Sequence, residues 1–367
     1  MDQINIKKEV SDEDLKSASI YYRNIKIAVC AFLAVLLIIP LFIKDYPYIM
    51  NVFVLVFYMT TLSMAWNLLG GMTGQNSLGH AAYMGLGAYA CCLLMTKAEV
   101  NPWICCIFGM IVVGLVSGII FYPCFILKGP YFTLVSIAFG EAIRQFILNW
   151  DFAGNAIGIS LSFGDDSWKE FRFMSKVPYY YVGLFMLIAV YVFMKKIDRS
   201  KLGFALKTIR EDEDTAAAIG INPIKYKVIA VVISAMIAGM VGFFYASYNR
   251  YIDPDLMLQT YSVESVLPAV VGGASFVEGP LVGGGIMITI SEFLRNQFGA
   301  ILSGINLIMY ALVLILVIRF RPSGLLGWYM NSDIKNKIDT GIFKKPSIEV
   351  LEAAQAANDR NSSGRGV

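Results

Sequence analysis

The sequence predicts an all-α, polytopic membrane protein with about ten transmembrane helices, and at least about eight. Hydrophobic residues make up 57% of the 367 residues, and charged residues only 16%. Soluble domains carry roughly 45–50% apolar and about 25% charged residues. Apolar runs of spanning length also recur along most of the chain. Because one soluble core could not bury them all, we expect lipid to be their solvent.

Ten apolar runs lie between a polar N-terminal segment and a polar tail, and about 20 residues at about 1.5 Å each cross the hydrocarbon. The runs are 25–43, 48–69, 78–96, 102–127, 130–149, 178–194, 226–248, 262–275, 280–297 and 300–318. No cleavage signal follows the first run, so we expect a retained helix there. The run 262–275 is short, which favours a broken or re-entrant helix. If the Gly-rich segments enter the membrane without crossing it, the number of crossings falls to eight.

Lys and Arg residues concentrate in the N-terminal segment, in the connection after the sixth run and at the start of the tail. If the runs alternate in direction, all three regions lie on one side, which the positive-inside rule makes cytoplasmic. The predicted organisation is a cytoplasmic segment 1–24, a transmembrane domain 25–327 with a cytoplasmic connection 195–226, and a tail 328–367. The composition of the tail predicts a disordered cytoplasmic extension.

Several chemistries are disfavoured by what the sequence lacks. Six cysteines lie in apolar stretches without metal-ligand spacing, and the chain has a single His, so we expect no metal site. Buried free thiols are the simplest interpretation, and a bridge between the pairs Cys91-Cys92 and Cys105-Cys106 is the alternative. No phosphate-binding loop or nucleophile motif is present, so we expect no enzyme active site, no cofactor and no ATP site in this chain. The net charge of +3 does not indicate a nucleic-acid partner.

The segment 67–89 joins two apolar runs through a short polar turn and then a Gly-rich stretch. An interrupted helix is tolerated at membrane depth only against protein or a water-filled cavity, and its N-terminal end favours a carboxylate. An ordinary cytoplasmic hairpin turn explains the same pattern. The His of this segment is more typical of a hydrogen-bonded structural residue than of a substrate or proton group. The candidate path residues here are Gly70, Gly71, Gly74, Gln75, Ser77 and His80.

Glu141 and Arg144 lie three residues apart in the run 130–149, so they share a helix face and can pair. An unpaired charge at the bilayer centre costs roughly 2.5–3.5 kcal/mol on insertion scales, which favours a pair turned toward the bundle interior. We count both residues as candidate path residues. A structural ion pair near the outer interface, with Arg144 reaching toward water, is the simpler alternative.

A weak internal sequence repeat relates the two halves of the chain. Glu292 precedes Arg295 at the spacing of the first pair, and Gly272-Gly273 leads into a Gly-rich apolar run as Gly70-Gly71 does. Paired halves are common in transporters, so Gly272 and Gly273 join the candidate path. Gly-rich membrane helices are frequent in any case, so the duplication stays open.

The connection 201–226 predicts two short helices. Apolar residues recur at helical spacing in its first half: Leu202, Ala205, Leu206 and Ile209. Asp212 or Asp214 is suited to begin a second helix, and Gly220 to end it. Two short amphipathic helices between spans form a knob that fits the groove of a soluble partner. A solvated loop with helices lying on the membrane is the alternative.

These segments resemble the larger, M-type subunit of the branched-chain amino acid permease family of ABC importers. The matching stretches, in order, are Asn67–Tyr89, Gly129–Arg144, Ser200–Tyr245, Leu267–Gly284 and Arg319–Gly327. The resemblance implies a subunit that translocates leucine, isoleucine or valine across the bacterial plasma membrane, with both termini cytoplasmic. It also implies three kinds of partner besides membrane lipid: a second, H-type permease subunit, two cytoplasmic ATPase subunits that bind the ATP, and an extracellular or periplasmic amino-acid-binding protein.

In that family the region 202–226 looks like the coupling loop that docks on the ATPases. The resemblance puts Asp214 at the acidic position, Ala216 and Ala217 at the alanines and Gly220 at the glycine, with Thr215 in place of a further alanine. The expected coupling residues are Arg210, Glu211, Asp214, Ala216, Ala217 and Gly220.

Two stretches differ from the family pattern and bear on the substrate. The stretch 153–159 keeps only part of it, and Ser275 stands where a third glycine is usual. A family member for another small solute, such as urea, therefore remains an alternative. An ion-coupled secondary transporter is the mechanistic rival, and Glu141 is its candidate carboxylate.

Overall fold

The computed structural model describes residues 12–125, 127, 129–162, 164–298, 305–321 and 323–330. The chain divides into two units, one formed by Met1–Phe42 with Tyr329–Val367 and the other by Ile43–Trp328. Helix α1 (Asp12–Ile43) supplies nearly all of the described part of the first unit. Residues 331–367, for which the sequence predicts a disordered tail, lie outside the described residues.

The second unit is almost entirely helical. Its helices are α2 (Pro47–Thr73), α3 (His80–Lys97), α4 (Pro102–Cys124), α5 (Pro130–Leu148), α6 (Val177–Asp198), α7 (Lys201–Glu211), α8 (Glu213–Ala218), α9 (Pro223–Asn249), α10 (Gln259–Gly272), α11 (Gly279–Phe298), α12 (Ile305–Phe320) and α13 (Gly324–Met330). Two short strands, β1 (Ile159–Ser160) and β2 (Tyr251–Ile252), pair antiparallel with Ile159 opposite Ile252. Single 3₁₀ turns at Asp151–Ala153, Asn155–Ile157 and Pro254–Met257 lie in the neighbouring connections.

Five of the described helices are long and apolar enough to cross a membrane, namely α2, α4, α5, α6 and α9. The short predicted run 262–275 corresponds to α10, which ends at Gly272 and continues through a tight turn into α11. The prediction of a polytopic helical membrane protein is therefore confirmed. The count of ten crossings stays a prediction.

Apolar side chains on one face of α4 are exposed. Ile107, Ile111, Leu115 and Ile119 recur every fourth residue, and 47–73% of each is accessible. The spacing places them on one stripe of the helix. A contiguous apolar stripe of this kind is unfavourable in water and favourable against lipid acyl chains. The second unit thus has the surface of a membrane protein as well as the helix lengths of one.

Helix α9 lies at the centre of the second unit, packed against α2, α3 and α4. A cluster of aromatic rings joins α3, α4 and α5, with Phe121 edge-to-face against Phe139 at 5.1 Å between ring centroids. Between α3 and α4, the Cys91 thiol donates to the Cys105 carbonyl at 3.0 Å. All six cysteines are free, so the alternative bridge between the two cysteine pairs is not formed.

The two ends of the helix bundle differ. Helices α7 and α8 form a knob, Lys201–Ala218, between the C-terminal end of α6 and the N-terminal end of α9. We call this the knob end. Helix α9 runs from the knob end to β2, which pairs with β1. We call that opposite end the far end. The C-terminal end of α2 lies at the knob end, because Arg210 of α7 donates to the Gly71 carbonyl at 2.8 Å. The α10–α11 turn lies there too, because Asn67 near the same end of α2 donates to the Phe276 carbonyl at 3.0 Å.

Candidate functional site

The knob consists of the two short helices that the sequence predicts. The Ser200 hydroxyl accepts from the Gly203 amide at 3.4 Å and caps α7. A carboxylate oxygen of Asp212 accepts from the Thr215 amide at 2.5 Å and caps α8. Of the two predicted capping acids, Asp212 therefore begins the second helix. Gly220 follows α8 with φ of +89°, a backbone conformation that favours glycine.

The knob has an inner and an outer face. Ala205, Leu206 and Ile209 are buried against the bundle, which places the predicted apolar stripe inward. Among the expected coupling residues, Ala216 is also buried. Four others are exposed on the outer face: Glu211, Asp214, Ala217 and Gly220. Two of these residues are acidic and two are small. The acids give the outer face a negative charge, and the small residues let a partner helix approach closely.

Arg210 connects the knob to α2. Its Nη1 donates to the Gly71 carbonyl at 2.8 Å, and a side chain at Gly74 would meet the Arg210 side chain at 3.0 Å. Helix α2 ends at Thr73, so the guanidinium lies against the carbonyls of its last turn, where positive charge is favourable. Arg210 also pairs with Glu211 at 3.5 Å. A predicted coupling residue and two predicted path residues therefore lie in contact.

Lys227 connects the knob to α9, and sequence reasoning missed it. Its side chain is fully buried, and its Nζ lies 2.6 Å from Oε2 of Glu213 in α8. A buried charge needs a partner of this kind, because removing it from water alone is very unfavourable. The signal was present in the sequence as a Lys at the start of the apolar run 226–248.

The α10–α11 turn packs against the end of α2. A side chain at Gly71 would collide with the Ala274 carbonyl, so only glycine fits this close approach. Gly272 and Gly273 stand at the start of the turn. Glu278, at its end, forms an ion pair with Lys195 of α6 and accepts from the Tyr191 hydroxyl at 3.5 Å. The turn is thus tied to both α2 and α6 at the knob end.

Polar residues of the α2–α3 connection are partly buried. The Trp66 indole donates to the Ser77 carbonyl at 2.7 Å, while Gln75 is 8% exposed. His80 is buried, with its Nε2 2.8 Å from the Ser234 hydroxyl, which itself donates to the Ala65 carbonyl at 2.6 Å. Since Ser234 uses its proton on that carbonyl, Nε2 of His80 is the donor. This geometry gives His80 a structural hydrogen bond, and its role in a path stays a prediction.

Glu141 and Arg144 lie away from this group, toward the far end. The predicted ion pair is present at 3.2 Å, and Arg144 makes a second one with Asp255 at 2.7 Å. The carboxylate of Glu141 also accepts from Gln145 at 2.6 Å. The structure therefore gathers the candidate glycines and Arg210 at the knob end and does not bring Glu141 and Arg144 to them.

Three features define a polytopic integral membrane protein of the transport type. They are the long apolar helices with a lipid-facing stripe, the glycine-rich contact between interrupted helices and the helical knob between two spans. Residues 48–318 match the family described as branched-chain amino acid transport system, permease component. This match covers most of the chain, which therefore belongs to that family.

Three relatives illustrate the similarity. The high-affinity branched-chain amino acid transport system permease protein LivM of Salmonella typhimurium is 26% identical over 288 residues, 72% of this chain and 67% of that protein. The protein of the same description from Escherichia coli is 25% identical over the same shares of the two chains. A probable branched-chain amino acid transport permease protein LivH of Methanocaldococcus jannaschii is 26% identical over 206 residues, 54% of this chain and 58% of that protein. No solved structure matches the chain.

Proposed function

We propose that this chain is the permease subunit of an ABC importer that carries branched-chain amino acids across the plasma membrane into the cell. ATP hydrolysis on separate subunits supplies the energy. The observation that carries the proposal is the knob, because its outer face is exposed while its inner face is tied by side chains to α2 and α9.

The knob contacts suggest how force reaches the membrane helices. Two cytoplasmic ATPases press on the outer face around Asp214, Ala217 and Gly220 as they close on ATP. Arg210 passes the displacement to the end of α2, and the buried pair of Lys227 with Glu213 passes it to α9. Both helices belong to the packed core, so a rigid knob moves them together rather than deforming locally.

The remaining partners and the orientation follow from the same proposal. The knob end and both termini face the cytoplasm, and the far end faces the extracellular or periplasmic binding protein. A second, H-type permease subunit completes the path in the membrane. The substrates are leucine, isoleucine and valine, the branched-chain amino acids for which the relatives are described as permeases.

Ion coupling through Glu141 receives less support. Its carboxylate is already engaged by Arg144 and Gln145, and its side chain is 50% exposed. Coupling carboxylates in secondary carriers are buried in mid-membrane and exchange partners during transport.

The experiment is co-purification and uptake with the complete transporter. The double variant Asp214→Ala with Gly220→Ala should insert normally, retain little ATPase subunit and take up almost no radiolabelled leucine. Alanine at position 220 would be held at positive φ, which costs about 1–2 kcal/mol and displaces the outer face.

The matched control is Asp165→Asn, an exposed acid in the connection between α5 and α6, away from the knob. It should retain the ATPase subunits like the unmodified chain. Uptake that persists in the double variant would refute the coupling assignment. Uptake that persists after removal of every ATPase subunit would refute ABC transport altogether.

A further inference from the structure

A polar cavity of about 220 Å³ lies among α2, α9, α10 and α11. Tyr48, at the start of α2, donates to the Glu292 carbonyl at 3.0 Å near the C-terminal end of α11, which puts this region toward the far end. None of the candidate path residues from the sequence lines the cavity. Its principal lining side chains are Tyr58, Tyr245, Tyr261, Glu264, Glu292 and Arg295.

The charges in the cavity are not balanced. Arg295 pairs with Glu292 through its Nη2 at 2.6 Å, and the Glu292 side chain is only 8% exposed. Glu264 faces the same cavity and makes no hydrogen bond or ion pair within the described chain. Two carboxylates thus share one guanidinium. The carboxylates therefore outnumber the cation, and such an excess inside a membrane protein is costly and marks a place where a further cation is expected to bind.

The arrangement matches both charges of an α-amino acid. Glu264 offers an acceptor to an ammonium group. The ion pair with Glu292 uses only one nitrogen of the Arg295 guanidinium, and the planar fork has further donors for a carboxylate. Glu292 then serves to hold the guanidinium in place.

An apolar wall faces these charges. The rings of Tyr58 and Tyr245 meet edge-to-face at 5.9 Å between centroids, and Leu55, Met59 and Ile288 also line the cavity. Aromatic and aliphatic surfaces of this kind accept an aliphatic side chain. The volume lies below the range of about 300–1,000 Å³ typical of pockets for drug-sized ligands, which suits a smaller molecule.

A divalent metal is a poorer fit. No group of three or more His, Cys, Asp or Glu side chains with metal-binding geometry occurs among the described residues. The guanidinium beside the two carboxylates would also repel a divalent cation, whereas it attracts the carboxylate of a zwitterion.

We propose that this cavity is a transit site for a zwitterionic α-amino acid, with the ammonium at Glu264, the carboxylate at Arg295 and the aliphatic side chain against the tyrosine wall. The identification of the occupant as the transported solute rests on the proposed function. The charge pattern itself does not depend on ATP coupling.

The test measures binding of radiolabelled leucine to the complete transporter in nanodiscs, without ATP and without the binding protein. Glu264→Gln should weaken binding about tenfold or more, because the amide loses the negative charge that strengthens hydrogen bonds from an ammonium group. Glu264→Asp should retain part of the affinity, and Asp165→Asn should leave it unchanged. ATPase retention and the elution profile of each variant report folding.

A second arm uses only the unmodified transporter, so it holds even if a variant misfolds. Leucine should displace the bound label, whereas N-acetyl-leucine, which has no ammonium, and isopentylamine, which has no carboxylate, should not. Equal displacement by all three would overturn the zwitterion site.

The outcomes separate this inference from the proposed function. Normal leucine binding and uptake in Glu264→Gln would overturn the site and leave the importer standing. If Glu264→Gln loses the binding of sodium ions while its leucine affinity is unchanged, the zwitterion site is overturned in favour of a monovalent cation site. If the unmodified transporter takes up no branched-chain amino acid but still distinguishes zwitterions from the two single-charge analogues, the proposed substrate fails and the site stands.

Discussion

The knob end and the far end of the bundle both carry charged side chains, but they use them differently. At the knob end, Lys227 is paired with Glu213, Lys195 with Glu278, and Arg210 with a backbone carbonyl. At the far end, Glu264 faces a cavity and makes no hydrogen bond or ion pair with another described residue, although it shares the nearby Arg295 with Glu292. Paired charges that join separate helices make a stiff connection, whereas an unpaired charge in a cavity favours a ligand. Under the proposed function, the knob end would transmit movement and the far end would receive the solute.

The largest effect is expected at the buried pair of the knob end. Lys227→Met should destabilise the protein by about 3–5 kcal/mol, because it leaves the Glu213 carboxylate without its cation. Thermal unfolding in detergent measures the loss, and leucine uptake should fall with it.

The double variant Lys227→Met with Glu213→Gln is the matched comparison. Replacing both partners removes the uncompensated charge, so much of the stability should return. Uptake should stay low if the pair transmits movement. Full recovery of uptake along with stability would show that the pair only holds the fold together.

A medium effect is expected where α2 meets the α10–α11 turn. Gly71→Ala should cost about 1–3 kcal/mol, because the added methyl overlaps the Ala274 carbonyl and forces the turn away from α2. The matched control is Gly285→Ala in α11, since nothing lies within 4 Å of a side chain there. The control should be neutral or slightly stabilising, as alanine favours helix. Thermal midpoints and uptake rates of the two variants check both expectations, and equal behaviour would contradict the close-approach argument.

Much of this architecture could be predicted from local sequence patterns. Hydropathy located α2, α4, α5, α6 and α9, because an apolar run of spanning length has few alternatives to a membrane helix. Helical spacing located the knob, and side-chain chemistry offered Asp212 as one of two caps for its second helix. The pairs Glu141–Arg144 and Glu292–Arg295 follow from a spacing of three residues on one helix face.

The contacts between distant segments could not be predicted in this way. The ion pair of Arg144 with Asp255 joins residues 111 positions apart, and no local periodicity encodes it. The same holds for Lys195 with Glu278 and for the cavity lined by four separate helices. Lys227 is an intermediate case, because its position at the edge of an apolar run marks it as unusual but does not name Glu213 as its partner. Such contacts depend on how helices pack, which a single sequence constrains only weakly.

The smallest effect is expected at the exposed ion pair of the far end. Asp255→Asn should lower stability by no more than about 1 kcal/mol, because Asp255 is 62% exposed and water already screens the pair. Arg144 keeps Glu141 as a second partner at 3.2 Å, which limits the loss further. The difference in thermal midpoint between the variant and the unmodified protein should also become smaller in about 1 M salt, where the screening length falls to about 3 Å. A loss of stability as large as that of Lys227→Met would mean that the far-end charges hold the helices together as strongly as the knob-end pair does. The distinction between the two ends would then not hold.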